Sequence, residues 1–162
     1  MLFAEEQDVQ ISELAGRIGQ LALADGLTVA VAESLTAGRI AQALGAAPES
    51  STWFAGGVVA YQSETAYRLL GVSRGRVVCA QCSEQMARGV LDAVGADVSV
   101  SVTGVGGPGP QEGERAGTVF ISVSSRCAVR TIRNQFPGSP SEVVNLTTLH
   151  ALTNLKKLLL ES

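Results

Sequence analysis

Thr28–Leu44 reads TVAVAESLTAGRIAQAL. Thr28–Ala32 alternates small and β-branched residues, the composition of a short buried strand. Ala37–Leu44 has helical spacing, with Ile40, Ala43 and Leu44 on one face. Only Glu33-Ser34-Leu35-Thr36 separates the two, so the spacing predicts a strand that turns directly into a helix. Such a turn leaves backbone N–H groups unpaired at the helix start. Those groups and the helix dipole favour an anion, such as a phosphate or a developing oxyanion. Ser34 suits a helix cap, a phosphate ligand or a nucleophile, and Thr36 suits a cap equally well. The stretch alone leaves these roles open.

Towards the N-terminus, Gln10–Ala24 carries Ile11, Leu14, Ile18, Leu21 and Ala22 at helical steps, and Asp25-Gly26 ends the helix. In the other direction, Gly45–Thr52 is a loop broken by Pro48. Trp53-Phe54-Ala55-Gly56-Gly57 leads into a second short strand, Val58–Tyr61, and the glycines permit close backbone approach. Ser63–Leu70 reads as a helix stopped by Gly71, and Ser83–Val94 as another stopped by Gly95. Asp97–Thr103, DVSVSVT, alternates strictly and runs into Gly104-Val105-Gly106-Gly107-Pro108-Gly109-Pro110. A loop this rich in glycine can wrap N–H groups around an anion. It lacks the Lys-Ser/Thr ending of a triphosphate-binding loop and opens no helix. Gly117–Ser124 and Cys127–Arg133 form a hairpin around Ser125-Arg126, Phe136–Pro140 is a loop, and Ser141–Leu160 is a long final helix.

Composition bounds the rest. The 162 residues suit one domain, 1–162, with a full core. Hydrophobic residues make up 46% and aromatic ones only 4%, so the core is built from Ala, Val, Leu and Ile. A net charge of −3 argues against nonspecific nucleic-acid binding, which needs a basic face. No apolar run approaches a membrane span, and MLFAEEQD lacks the pattern of a signal peptide. A cytoplasmic protein is expected. Cys79-Ala-Gln-Cys82 has C-x-x-C spacing, but with no second pair and only His150 besides, packing is the expected role of these cysteines. No metal site and no cofactor are expected.

The element order predicts a three-layer α/β/α sandwich, with a mixed, mostly parallel sheet because of the hairpin. Ligands in such sheets bind beyond the carboxyl ends of the strands. Ser34, Tyr61 and Thr103 each fall at the C-terminal end of a predicted strand. If those strands are parallel neighbours, the three hydroxyls converge.

Three ordered motifs carry a resemblance. Glu33-Ser34-Leu35-Thr36-Ala37-Gly38 resembles the E-S-x-T-[GA]-G signature of the CinA C-terminal domain family. Trp53–Tyr61 with Leu70-Gly71-Val72 resembles its second block, and Val102–Pro108 with Gly117-Thr118-Val119 its third. Together they span about residues 10–160. The resemblance implies a three-layer α/β/α fold, a homo-oligomer, and activity as a nicotinamide mononucleotide deamidase, which hydrolyses the carboxamide to nicotinic acid mononucleotide and ammonia. It also implies a domain that occurs alone or fused, here read as standing alone. The family's nucleophile falls on Ser34, its tyrosine on Tyr61 and its glycine-loop threonine on Thr103. Substrate contacts are expected from Glu33, Thr36 and Gly38 at the helix start and from Gly104, Gly106 and Gly107. The pattern departs in two places. The family is described as a Ser/Lys hydrolase, but the lysine position is Ala66, and the late loop after Phe136 lacks the family's Gly-Asp-Arg.

A serine hydroxyl needs a base at neutral pH. The lysines of the chain are Lys156 and Lys157, on the final helix, and Arg68 stays protonated. The remaining bases are Tyr61, Glu33, Glu64 and His150. Two functions follow: an impaired amidohydrolase acting on a pyridine nucleotide, or a non-catalytic paralogue that binds such a nucleotide or a protein partner.

Overall fold

A computed structural model describes residues 2–162. Its sheet has the order β2-β1-β3-β4-β5, from β1 (Val29–Glu33), β2 (Phe54–Val59), β3 (Val98–Gly104), β4 (Thr118–Ser125) and β5 (Val129–Gln135). β1 pairs in parallel with both β2 and β3, whereas β3–β4 and β4–β5 are antiparallel. The sheet is mixed and mostly parallel in strand direction, as expected, although two of its four pairings are antiparallel. The reason is β4, which alone runs against the other strands.

The alternation of β1 separates two cores. Val29 and Val31 face a layer formed by α1 (Leu2–Asp25), α2 (Arg39–Gly45), the single turn α3 (Ser50–Trp53) and α6 (Pro140–Leu160). Ala30 and Ala32 face α4 (Ser63–Leu70) and α5 (Ala80–Val94). Small residues on this second face let the helices approach closely. Ser99 and Ser101 of β3 are fully buried against α5, donating to the Ala87 and Ser83 carbonyls at 2.7 and 2.6 Å. Their hydroxyls therefore cost little to bury. On the first face, Trp53 lies against Gly19 of α1, where any side chain would collide with its indole. Its indole N–H donates to the Pro48 carbonyl at 3.1 Å.

Several boundaries differ from the sequence expectation: the first helix starts at Leu2 instead of Gln10, and the expected loop Gly45–Thr52 ends in the turn α3. The second strand covers Phe54–Val59, not Val58–Tyr61, because a bulge sets Val29 opposite Phe54 and Ala30 opposite Gly56. Gly56 holds φ at 116°, a left-handed value open to glycine. The helix after β1 begins at Arg39, not Ala37, since Ala37 and Gly38 have φ of 50° and 98° and cannot join a right-handed helix. α5 begins at Ala80, with Cys79 at its N-cap, three residues before the expected Ser83. No described helix is long and apolar enough to cross a membrane.

Gly57 packs so tightly on β1 that an added Cβ would overlap the Val31 carbonyl oxygen. Gly57→Ala is expected to lower stability by about 1–3 kcal/mol through overpacking, seen as a lower urea midpoint at unchanged slope. An unchanged midpoint would mean that β2 can shift off β1.

Candidate functional site

Because β1 lies between β2 and β3 in parallel, the carboxyl ends of all three open on one side. Ser34 follows β1 directly, Tyr61 lies two residues past β2, and Thr103 is near the end of β3. All three line one cleft of about 470 Å³, together with Gly104, Gly106 and Gly107. The structure thus brings together the hydroxyls and the glycine loop that the sequence placed at strand ends.

Their surroundings differ. The Ser34 hydroxyl is half-buried and has no hydrogen-bond partner among the described residues. Thr103 is buried, and its hydroxyl donates to the Val77 carbonyl at 2.7 Å, which fixes its rotamer and leaves its lone pairs for the cleft. Tyr61 is 71% exposed at the rim. The N–H groups of Leu35, Gly106 and Gly107 have no partner within the described chain, so a ligand can take them.

Glu33, Thr36 and Gly38 do not line the cleft, which corrects their expected place as substrate contacts. Glu33 is fully buried. Its Oε1 accepts from the Thr36 hydroxyl at 2.6 Å and the Ile40 N–H at 3.0 Å, and its Oε2 accepts from the Ala41 N–H at 2.9 Å. The start of α2 therefore holds an anion already, and it belongs to the chain. Neither Ser34 nor Thr36 caps the helix; the N-cap is Gly38, which has no side chain to do so. With its oxygens engaged by three donors, Glu33 is unavailable as a base. An anion brought by a ligand must use the glycine loop or Leu35 instead.

The other expected bases fare no better. Glu64 is held by Arg68 at 2.9 Å and by Arg74 at 2.7 and 2.8 Å. The hydrogen bonds from Arg74, then Arg68, bring its carboxyl down to about 2. His150 packs against Phe136 with ring centroids 4.8 Å apart and planes tilted by 58°, outside the cleft. Burial, then Lys157, pushes its pKa down. Ala66 is buried and lines the cleft, so the position of the family lysine points inward but offers only a methyl group. Among the lining residues only Tyr61 and Cys82 are ionisable, and burial pushes the Cys82 thiol up to about 12. No group of three or more His, Cys, Asp and Glu residues among those described could hold a metal ion.

Sequence reasoning missed the apolar wall. Val77, Val78, Cys82 and Met86 form one side, and Pro140 and Val144 of α6 close another. Apolar residues in a helix or loop give no local signal of facing a ligand. The late loop takes a structural part as well. Ser139 and Glu142 cap α6 reciprocally, with Pro140 in the first turn, and this seats Pro140 on the cleft.

Comparison with known proteins follows the same lines. The model of the CinA C-terminal domain matches residues 11–159. The chain belongs to the CinA C-terminal domain family. It is 39% identical over 150 residues to a CinA-like protein of Desulfotalea psychrophila, covering 89% of this chain and 36% of that one. It is 37% identical over 163 residues to a protein of Desulforamulus reducens named as competence-damage inducible, covering 98% and 39%. The chain thus spans under two-fifths of the length of these curated relatives. Among solved structures, a CinA superfamily protein from Klebsiella pneumoniae superposes with a TM-score of 0.90 at 30% identity, covering 94% of this chain and 99% of that one. The competence/damage inducible protein CihA from Agrobacterium tumefaciens gives 0.88 at 32% identity, covering 92% and 95%.

Two predictions test the electrostatics. Glu33→Gln keeps the shape but turns an amide N–H₂ towards a backbone donor, and is expected to cost about 1–3 kcal/mol, read from urea unfolding. A smaller loss would mean that the turn relaxes around the amide. Glu64 has a folded pKa below its ordinary 4.5, so its pairs stabilise above that value and the benefit is lost as pH falls towards 2. The stability gap between the chain and Glu64→Gln is therefore expected near neutral pH and should close over that window. A gap independent of pH would assign it to packing.

Proposed function

We propose that the cleft binds a pyridine mononucleotide and that Ser34 attacks its carboxamide carbon, giving nicotinic acid mononucleotide and ammonia at a rate well below that of a complete Ser/Lys site. The observation that carries this reading is the convergence of Ser34, Tyr61 and Thr103 on one cleft beside free backbone N–H groups. In this reading Ser34 Oγ forms the new C–O bond, and Tyr61 passes the serine proton to the departing nitrogen. Water then cleaves the acyl-serine and restores the hydroxyl. The Leu35 N–H is the oxyanion donor nearest in sequence to the nucleophile. Gly106 and Gly107 offer N–H groups to the phosphate, and the cleft lining contains no lysine or arginine to share that work.

A second reading, binding without turnover, is favoured by one specific observation. The lining holds no Lys, His, Asp or Glu to take the serine proton, Glu33 and Glu64 are engaged elsewhere, and position 66 is alanine. A general base contributes roughly 10²- to 10⁴-fold, enough to separate an enzyme from a binder.

Ammonia release from nicotinamide mononucleotide, measured beside Ser34→Ala and Ala66→Lys, separates the readings. Slow release abolished in Ser34→Ala and raised roughly 10²-fold or more in Ala66→Lys is the expected result. Saturable binding without release from either the original chain or Ala66→Lys supports the second reading. Release at full rate from Ser34→Ala removes Ser34 as the nucleophile, and the absence of both binding and release assigns the cleft to another ligand.

A further inference from the structure

The C-x-x-C pair lies where a dithiol can close. Cys79 is the N-cap of α5 and Cys82 is three residues on, in its first turn. Helix geometry sets Cα atoms three residues apart at about 5 Å, inside the range of roughly 4.4–6.8 Å that disulfides span. The Cys79 side chain makes no cap hydrogen bond to the first-turn amides, so closing the pair requires its sulfur to swing from the Arg76 carbonyl towards Cys82. Both thiols are free, and Cys79 donates a hydrogen bond of 3.5 Å to the Arg76 carbonyl. Its extended backbone, φ −160° and ψ 162°, lies outside the helix, so its side chain can rotate without disturbing α5.

The two cysteines differ in access. Cys79 is half-buried, whereas Cys82 is 2% exposed and forms part of the cleft wall. Burial holds Cys82 as a thiol, its pKa pushed up to about 12, so an external oxidant is met by Cys79. Cys127 stands apart in the hairpin turn between β4 and β5, exposed.

We propose that Cys79 and Cys82 are a reversible dithiol–disulfide pair that couples the redox state of a low-molecular-weight disulfide to the wall of the cleft. The Cys79 thiolate attacks one sulfur of a disulfide such as glutathione disulfide, its S–S bond breaks, and one thiol leaves. Cys82 then attacks Cys79 Sγ, and its proton leaves on the second thiol that is expelled. The two protein thiols are oxidised, one small disulfide is reduced to two thiols, and the exchange runs backwards with excess thiol. Closing the bond draws Cys82 Sγ towards the N-cap and away from the cleft wall that it shares with Val77 and Thr103.

The test needs no substrate, so its outcome is independent of the reading of Ser34. The folded chain is incubated with glutathione disulfide, its remaining thiols are alkylated, and peptides are mapped by mass. The expected product carries a Cys79–Cys82 link and an alkylated or glutathionylated Cys127. Cys82→Ser should retain a lasting glutathione adduct on Cys79, and Cys79→Ser, which supplies a favoured cap, should leave Cys82 unreacted. Amide exchange at residues 76–83 should differ between the oxidised and reduced chain and return on adding thiol. A lasting adduct on Cys79 in the original chain, a link formed only after denaturation, or a link through Cys127 alone would overturn the proposal. Cys127→Ser, which removes that last route, should still form the Cys79–Cys82 link.

Discussion

A buried carboxylate fixes the turn on which the cleft is built. Glu33 ends β1 in the interior, and its oxygens take the N–H groups of Ile40 and Ala41 and the hydroxyl of Thr36. A carboxylate in such a place would be costly without partners. Here the donors and the positive end of α2 supply them. The consequence is geometric. Strand end and helix start are tied to one side chain, and the residues between them have nowhere else to go. Ala37 and Gly38 adopt left-handed conformations to close the loop, and Ser34 is carried to the cleft. The anion-binding capacity of the helix start is used for architecture and is withdrawn from ligand binding.

The same economy of space governs the sheet. Gly57 allows β2 to lie against β1, Gly19 makes room for Trp53, and serines on β3 let α5 sit close while their hydroxyls find carbonyls. With 4% aromatic residues the chain cannot fill its core with a few large groups. Many short side chains at close spacing give the dense packing that interiors require. The site's cleft opens where the parallel strands end, because there the helices no longer cover the edge. Its floor is polar through hydroxyls and N–H groups, its walls are apolar, and its lining contains no fixed charge in the form of lysine, arginine, aspartate or glutamate. Such a site recognises a polar ligand through direction and shape more than through charge. That sets the chemistry expected of Ser34 apart from that of a nucleophile paired with lysine.

Much of the fold was legible because local rules are strong there. Ser63–Leu70 follows its amphipathic spacing to the residue, with Gly71 in the left-handed cap, and β4 and β5 pair as the expected antiparallel hairpin. The site was legible in part. Ser34, Tyr61 and Thr103 stood at strand ends, and one topological assumption, that their strands are parallel neighbours, joined them. Misplaced were residues whose role depends on distant partners. Glu33 had the same local signature as a ligand-binding carboxylate, and only the position of α2 shows that it faces inward. Glu64 was a plausible base until Arg74, ten residues on, came to rest against it. Cys82 had the signature of a packed small residue, and burial and cleft lining both describe it.

By itself, the order of apolar periodicities and turn residues determined the layers, the family motifs and the absence of a lysine at position 66. Those properties are written in neighbours a few residues apart, where backbone geometry leaves few choices. The tertiary structure alone decided which hydroxyls share a cleft, which carboxylates are spent on internal N–H groups and guanidinium groups, and that Pro140 and Val144 close the wall. Each of these depends on atoms far apart in the chain being brought within hydrogen-bond or van der Waals range. No spacing along the chain encodes that distance until the strands have paired and the helices have packed.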